Sequence, residues 1–109
     1  MKHHLTEKEL VSLHRGFFIF GDTTCVKILY ELQRYGQKNF TELKETLNIN
    51  PSTLTKKLRL LVDSGIIAPD KTHDKLRIYY SICAHEKSLK RFIDAFERLS
   101  FELTNDGEG

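Results

Sequence analysis

Between Asn50 and Gly65 the chain carries its tightest constraint on fold, a helix whose start, buried face and end can each be read from single residues. Asn50 is a good N-cap, and Pro51 follows at the first helical position, where no amide hydrogen bond is needed. Leu54, Leu58 and Leu61 recur at helical spacing and fall on one face, with Val62 at its margin, so that face must be buried. Ser64 and Gly65 then stop the helix. The opposite face bears Ser52, Lys56 and Arg59, flanked by Thr53 and Thr55. Its N-terminal half therefore presents hydroxyls and cations and no carboxylate; Asp63 joins that face only near the C-terminal end. Lys57 lies nearer the buried side, where a lysine stem snorkels over the core.

The element before it runs from Thr41, a candidate N-cap, through Leu43 and Leu47 to Asn48, with Ile49 as an apolar plug between the two helices. A short helix, a tight turn and a capped second helix are the parts of a helix-turn-helix. After Gly65 come Ile66, Ile67 and Ala68, the polar run Pro69 to Lys75, and then Leu76, Ile78, Tyr80 and Ile82 alternating with Arg77, Tyr79 and Ser81. Two strands joined by a charged loop form a wing. Hydroxyls and cations on an exposed helix suit phosphates and base edges, and wing cations suit the backbone or minor groove. The expected DNA-contacting set is thus Ser52, Thr53, Thr55, Lys56 and Arg59 on the helix with His73, Lys75 and Arg77 on the wing. Lys71 ranks below them.

Charge distribution agrees, although the formal net charge of +2 over 109 residues would not argue for nucleic acid by itself. From Asn50 to Tyr80 there are six cations against three anions, whereas from Ser81 to Gly109 there are four against six. The positive field is concentrated on the reading unit, as attraction to phosphate requires.

Two longer helices flank this unit. The first has Thr6 and Glu9 in capping-box spacing, then Leu10, Leu13, Phe17 and Phe20 at intervals of three and four, and ends at Gly21. A further helix starts at Asp22 or Thr23, carries Val26, Ile28, Leu29 and Leu32, and closes at Tyr35 and Gly36; Lys38 to Phe40 is placed to add a short strand to the wing sheet. The last helix, about 85–103, carries Leu89, Phe92, Phe96, Leu99 and Leu103 in coiled-coil-like spacing, with Ile93 and Phe101 beside the seam. These flanking helices hold six of the seven phenylalanines, more large apolar surface than a small head can cover. Burying such a side chain is worth about 1.5–3 kcal/mol, so an uncovered set favours association. The expected dimer interface is Leu10, Leu13, Phe17, Phe20, Leu89, Phe92, Phe96, Leu99 and Leu103; the alternative is that the phenylalanines pack against one another within one chain.

Other chemistries find little support. There is no glycine-rich phosphate loop, nucleophile elbow or metal-ligand cluster, so no enzyme activity, cofactor or metal is expected. Cys25 and Cys83 are far apart and form no Cys-x-x-Cys pair; they read as two free thiols in or near the core. The N-terminus lacks an apolar run of signal-peptide type and no stretch approaches the roughly 18 apolar residues of a membrane span, which leads us to expect a cytoplasmic protein without a membrane partner. A hydrophobic fraction of 39% with 29% charged residues is ordinary for one soluble domain.

The run from Pro51 to Ile67 (PSTLTKKLRLLVDSGII), followed by KLRIYYSI from Lys75 to Ile82, resembles the recognition helix and wing of winged-helix transcriptional regulators of the ArsR, HxlR and MarR type. The LTKKLR core looks most like the HxlR proteins, and RIYY looks more like the ArsR wing. The resemblance covers about Gly21 to Ile82. It implies that Ser52, Thr53, Thr55 and Lys56 face the major groove, and repression is the commoner outcome in such families. Two departures stand out: Pro51 replaces an often polar residue, and the first helix of the motif has no arsenic-type cysteine pair.

The expected fold class is mainly α with a small antiparallel β wing, a winged helix-turn-helix with N- and C-terminal dimerisation helices. The expected organisation is one DNA-binding domain over 1–103, with the helix-turn-helix at about 41–64, the wing at about 66–82 and a flexible tail over 104–109. Its expected function is sequence-specific binding of double-stranded DNA as a homodimeric repressor, with the effector unknown. The competing expectations are a winged-helix protein-interaction module and a ligand- or metal-responsive sensor of the same fold.

Overall fold

The leucine face inferred for the helix after Asn50 is buried in the computed structural model, which describes residues 4–72, 76–83 and 85–108. The elements are α1 (Glu7–Phe20), α2 (Thr23–Tyr35), β1 (Lys38–Asn39), α3 (Phe40–Leu47), α4 (Pro51–Asp63), β2 (Ile67–Asp70), β3 (Tyr79–Ile82) and α5 (Glu86–Glu108).

Local chemistry sets most of the boundaries. Thr6 and Glu9 form the expected capping box: the Glu9 amide donates to the Thr6 hydroxyl at 3.1 Å, and the Thr6 amide donates to the Glu9 carboxylate at 3.3 Å. Asp22 caps α2 by accepting the Cys25 amide at 2.9 Å. Asn50 caps α4 with one oxygen that accepts the Ser52 amide at 2.9 Å and the Thr53 amide at 3.4 Å. The turn between α3 and α4 depends on Asn48, whose φ of 52° is left-handed, a conformation that asparagine tolerates better than most residues.

Leu54, Leu58 and Leu61 of α4 are buried against Cys25, Ile28, Leu29 and Leu32 of α2, Leu43 of α3, Ile49 and Ile67, in one cluster that also takes in Ile19 and Leu89. The three strands form an antiparallel sheet in the order β1-β3-β2, with Asn39 opposite Tyr79 and Ile67 opposite Ile82. Two strands and their connection make the wing, and β1 ties it to the start of α3.

Four expectations are corrected. The N-cap of α3 is Asn39, not Thr41: Asn39 accepts the Glu42 amide at 2.9 Å while Glu42 accepts the Asn39 amide at 3.0 Å, a second capping box. The first wing strand runs through Pro69 and Asp70, which were expected in the loop; β2 is an edge strand, where a missing proline amide costs no ladder bond. The second begins at Tyr79, so Leu76 is not an inward strand residue and is 93% exposed. The terminal helix runs on to Glu108 rather than ending near 103, because nothing in 104–106 breaks it and the Thr104 hydroxyl bonds back to the Ser100 carbonyl at 2.9 Å. Of the two thiols, Cys25 is buried and Cys83 is exposed.

The radius of gyration is 16.0 Å, against about 13 Å for a globular domain of about 100 residues.

Candidate nucleic-acid interface

The candidate surface is built by fixing α4 from three sides. Its leucine face is locked into the core, its N-terminus is tied by Asn50, and one flank is pinned by an ion pair between Lys57 and Asp22 at 3.1 Å. What remains outside is the polar face. Ser52, Thr55, Lys56 and Arg59 are exposed there, and Thr53 is half-buried on the flank that it shares with Lys57.

The opposite flank faces the wing. Thr55 and Arg59 line a cleft of about 380 Å³ with Lys71, Ile78 and Tyr80, so a helix cation and a wing cation share one opening, together with the carboxylate of Asp63 from the last turn of α4. This brings in Lys71, which the sequence ranked below its neighbours; its link to Arg59 depends on where β2 ends, and spacing does not show that. Arg77 is exposed just before β3. His73 and Lys75 lie outside the described residues.

Two hydrogen bonds narrow what these groups can do. The Thr55 hydroxyl donates to the Pro51 carbonyl at 2.9 Å, which spends its proton and leaves it an acceptor toward a ligand. The Ser52 and Thr53 amides are engaged by Asn50 and are not open to phosphate, so their hydroxyls are the groups on offer.

Asp22 has two duties on two oxygens, Oδ2 for the Cys25 amide and Oδ1 for Lys57. Partial burial pushes its carboxyl pKa up, but the Cys25 amide and the Lys57 ammonium pull it down further, and the balance lies below the ordinary carboxylate value. Burial, reinforced by the hydrogen bond and charge of Asp22, pushes the Cys25 thiol up to about 12, so it stays protonated and inert. Because Asp22 is lowered in the folded state, its stabilising contribution is complete above the unfolded carboxylate value and disappears as pH falls through the folded one. The stability gap between the wild-type chain and Asp22→Asn should therefore narrow below about pH 4 in thermal melts; a gap that is constant from pH 6 to pH 2 refutes the assignment.

On the other side of the molecule, the aromatic residues gather where α1 meets α5. Phe20 packs on Phe92 with ring centroids 4.6 Å apart, and Phe92 stacks on Phe96 at 5.8 Å. Leu13, Phe17, Phe20, Phe92, Phe96 and Leu99 line an apolar groove of about 680 Å³. Leu10, Leu13, Phe17, Phe92, Phe96, Leu99 and Leu103 are exposed, and Phe20 is half-buried. Leu89 departs from the expectation for an interface residue: at 8% exposure it belongs to the core of the single chain.

A short helix, a left-handed turn, a capped cationic helix and an antiparallel wing define the winged helix-turn-helix class. Residues 19–107 match the HxlR-like helix-turn-helix family, and the chain belongs to it. It is therefore a helix-turn-helix transcriptional regulator of the HxlR type. The family match fits the LTKKLR resemblance within α4.

Solved structures of the same fold include AntR, an antimony-specific transcriptional repressor, at 20% identity and a TM-score of 0.78, covering 95% of this chain and 90% of that one. HlyU from Vibrio cholerae is similar at 21% identity and a TM-score of 0.71, covering 86% and 97%. A MarR-family protein from Enterococcus faecalis is similar at 17% identity and a TM-score of 0.75, covering 96% of each chain. No functionally curated protein sequence matches the chain significantly.

Proposed function

We propose that the chain is a sequence-specific double-stranded DNA-binding repressor that works as a homodimer in the cytoplasm. The observation that carries the reading is the carboxylate-free N-terminal half of α4, held rigid by its cap and core while Ser52, Thr55, Lys56 and Arg59 stay exposed. In this reading α4 enters the major groove, with Lys56 and Arg59 on phosphates or guanine edges. Thr55, its proton spent on Pro51, accepts from the exocyclic amine of adenine or cytosine. Thr53 contributes from the flank, and Lys71, His73, Lys75 and Arg77 follow the backbone along the wing.

The apolar groove between α1 and α5 supports pairing, since a second copy seated there covers the phenylalanines and places two α4 helices on one duplex. Two-fold symmetry then demands half-sites about 34 Å apart. Occupancy of a promoter by such a dimer blocks polymerase. The test is selection from a random duplex pool, with a pseudo-palindromic consensus as the expected result. An unenriched pool at low salt, or one stoichiometric protein partner captured without DNA, overturns the reading in favour of an interaction module.

A further inference from the structure

The Asp22–Lys57 pair does more than brace a helix. Lys57 sits next to Lys56 on the reading helix and four residues from Thr53, on the flank that runs beside the N-terminus of α2. Both side chains reach solvent, at 27% exposure for Lys57 and 28% for Asp22. An ion pair this accessible holds its partners together by a factor of about five or less, so a phosphate is able to compete for the ammonium. Releasing Lys57 leaves the cap of α2 and the leucine face of α4 in place: Oδ2 of Asp22 keeps the Cys25 amide, and only Oδ1 loses a partner. Thr23, at the first turn of α2, is exposed beside this point, so a backbone passing the flank of α4 meets the positive end of α2 as well.

We propose that Lys57 is a phosphate-contacting residue held in check by Asp22, which thereby limits the non-specific DNA affinity of the reading helix. The inference rests on the DNA-binding reading above. It separates the two neighbouring lysines by role: Lys56 is always presented, and Lys57 is charged but neutralised until a phosphate displaces Oδ1.

Asp22→Asn tests this directly, because asparagine keeps an oxygen for the Cys25 amide and is itself a good N-cap. On a random-sequence duplex, the slope of log affinity against log salt should steepen by up to about 0.9, the value of one phosphate contact, and affinity at 50 mM salt should rise about two- to fivefold, the most that releasing a pair of this strength returns. The double variant Asp22→Asn/Lys57→Gln should return to the wild-type slope. Glu102→Gln, which removes the same charge from α5, should leave the slope unchanged. Far-UV melts of each variant establish that the compared chains are folded.

A D22N slope equal to wild type, a D22N affinity that falls, or a double variant that keeps the steeper slope would each show a purely structural strut and overturn the proposal. Wild-type protein that binds no duplex instead removes the DNA-binding reading, so the two failures are distinguishable.

Discussion

Replacing Lys56 and Arg59 together by alanine should weaken DNA binding by about 100-fold or more at 100 mM salt and make the salt slope shallower by about 1.8. The magnitude follows from two contacts of different kinds. If both cations meet phosphate, the double variant loses two counterion-releasing contacts; if Arg59 also reaches a guanine edge, a further 1–3 kcal/mol of discrimination goes with it, by the usual value of about that size for a bidentate pair. Neither side chain belongs to the core: both project from the exposed face of α4, away from Leu54, Leu58 and Leu61. Stability should therefore change by no more than about 0.5 kcal/mol, which thermal melting checks. A matched loss of charge elsewhere, Lys8→Ala with Lys87→Ala, should leave binding within a few-fold of wild type. Equal effects from the two pairs would mean that only net charge matters and that α4 is not the reading element.

The reading helix was the most legible part of the chain because its determinants are local. Asn50, Pro51 and the three leucines act within a few turns of one another, and each does in the structure what its chemistry requires. The same holds for the Thr6 and Asp22 caps. Errors arise where a residue serves two elements or where a partner is remote. Asn39 ends β1 and caps α3 at once, and the apolar Phe40 after it conceals a helix start that Thr41 only imitates. The alternation from Leu76 to Ile82 is real as a pattern, but the strand that pairs with β2 comprises its last four residues, Tyr79 to Ile82. Leu89 sits in the same heptad-like row as Phe92 and Phe96, yet it lies at the start of α5, close enough to the core to be swallowed by it. The ion pair between Asp22 and Lys57 joins residues on different helices, and no spacing rule connects them.

Phe96→Asp should convert a dimer into monomers of 12.7 kDa in sedimentation and, with it, lower affinity for a two-half-site duplex by about 10² to 10⁴. Phe96 is the informative position because it is 44% exposed, stacks on Phe92 and lines the groove with Phe17, whose own exposure is 74%. In a lone chain an aspartate there loses the stacking on Phe92, but at a position 44% exposed its carboxylate stays within reach of water. At a paired surface the same carboxylate is buried among phenylalanines without a partner, a loss of several kcal/mol per site and felt twice across a two-fold axis. The loss of DNA affinity then follows from geometry rather than contact: each α4 still reads its half-site, but the second binding event no longer benefits from the effective concentration that the dimer supplies. Leu89→Asp separates this from simple unfolding. Leu89 is enclosed by the chain's own core, so its substitution should melt the head, whereas Phe96→Asp should leave the helix-turn-helix intact and still able to bind a single half-site weakly. A wild-type chain that sediments as a monomer at micromolar concentration, or a Phe96→Asp chain that remains dimeric, would remove α1 and α5 as the pairing surface and return their phenylalanines to packing within one chain.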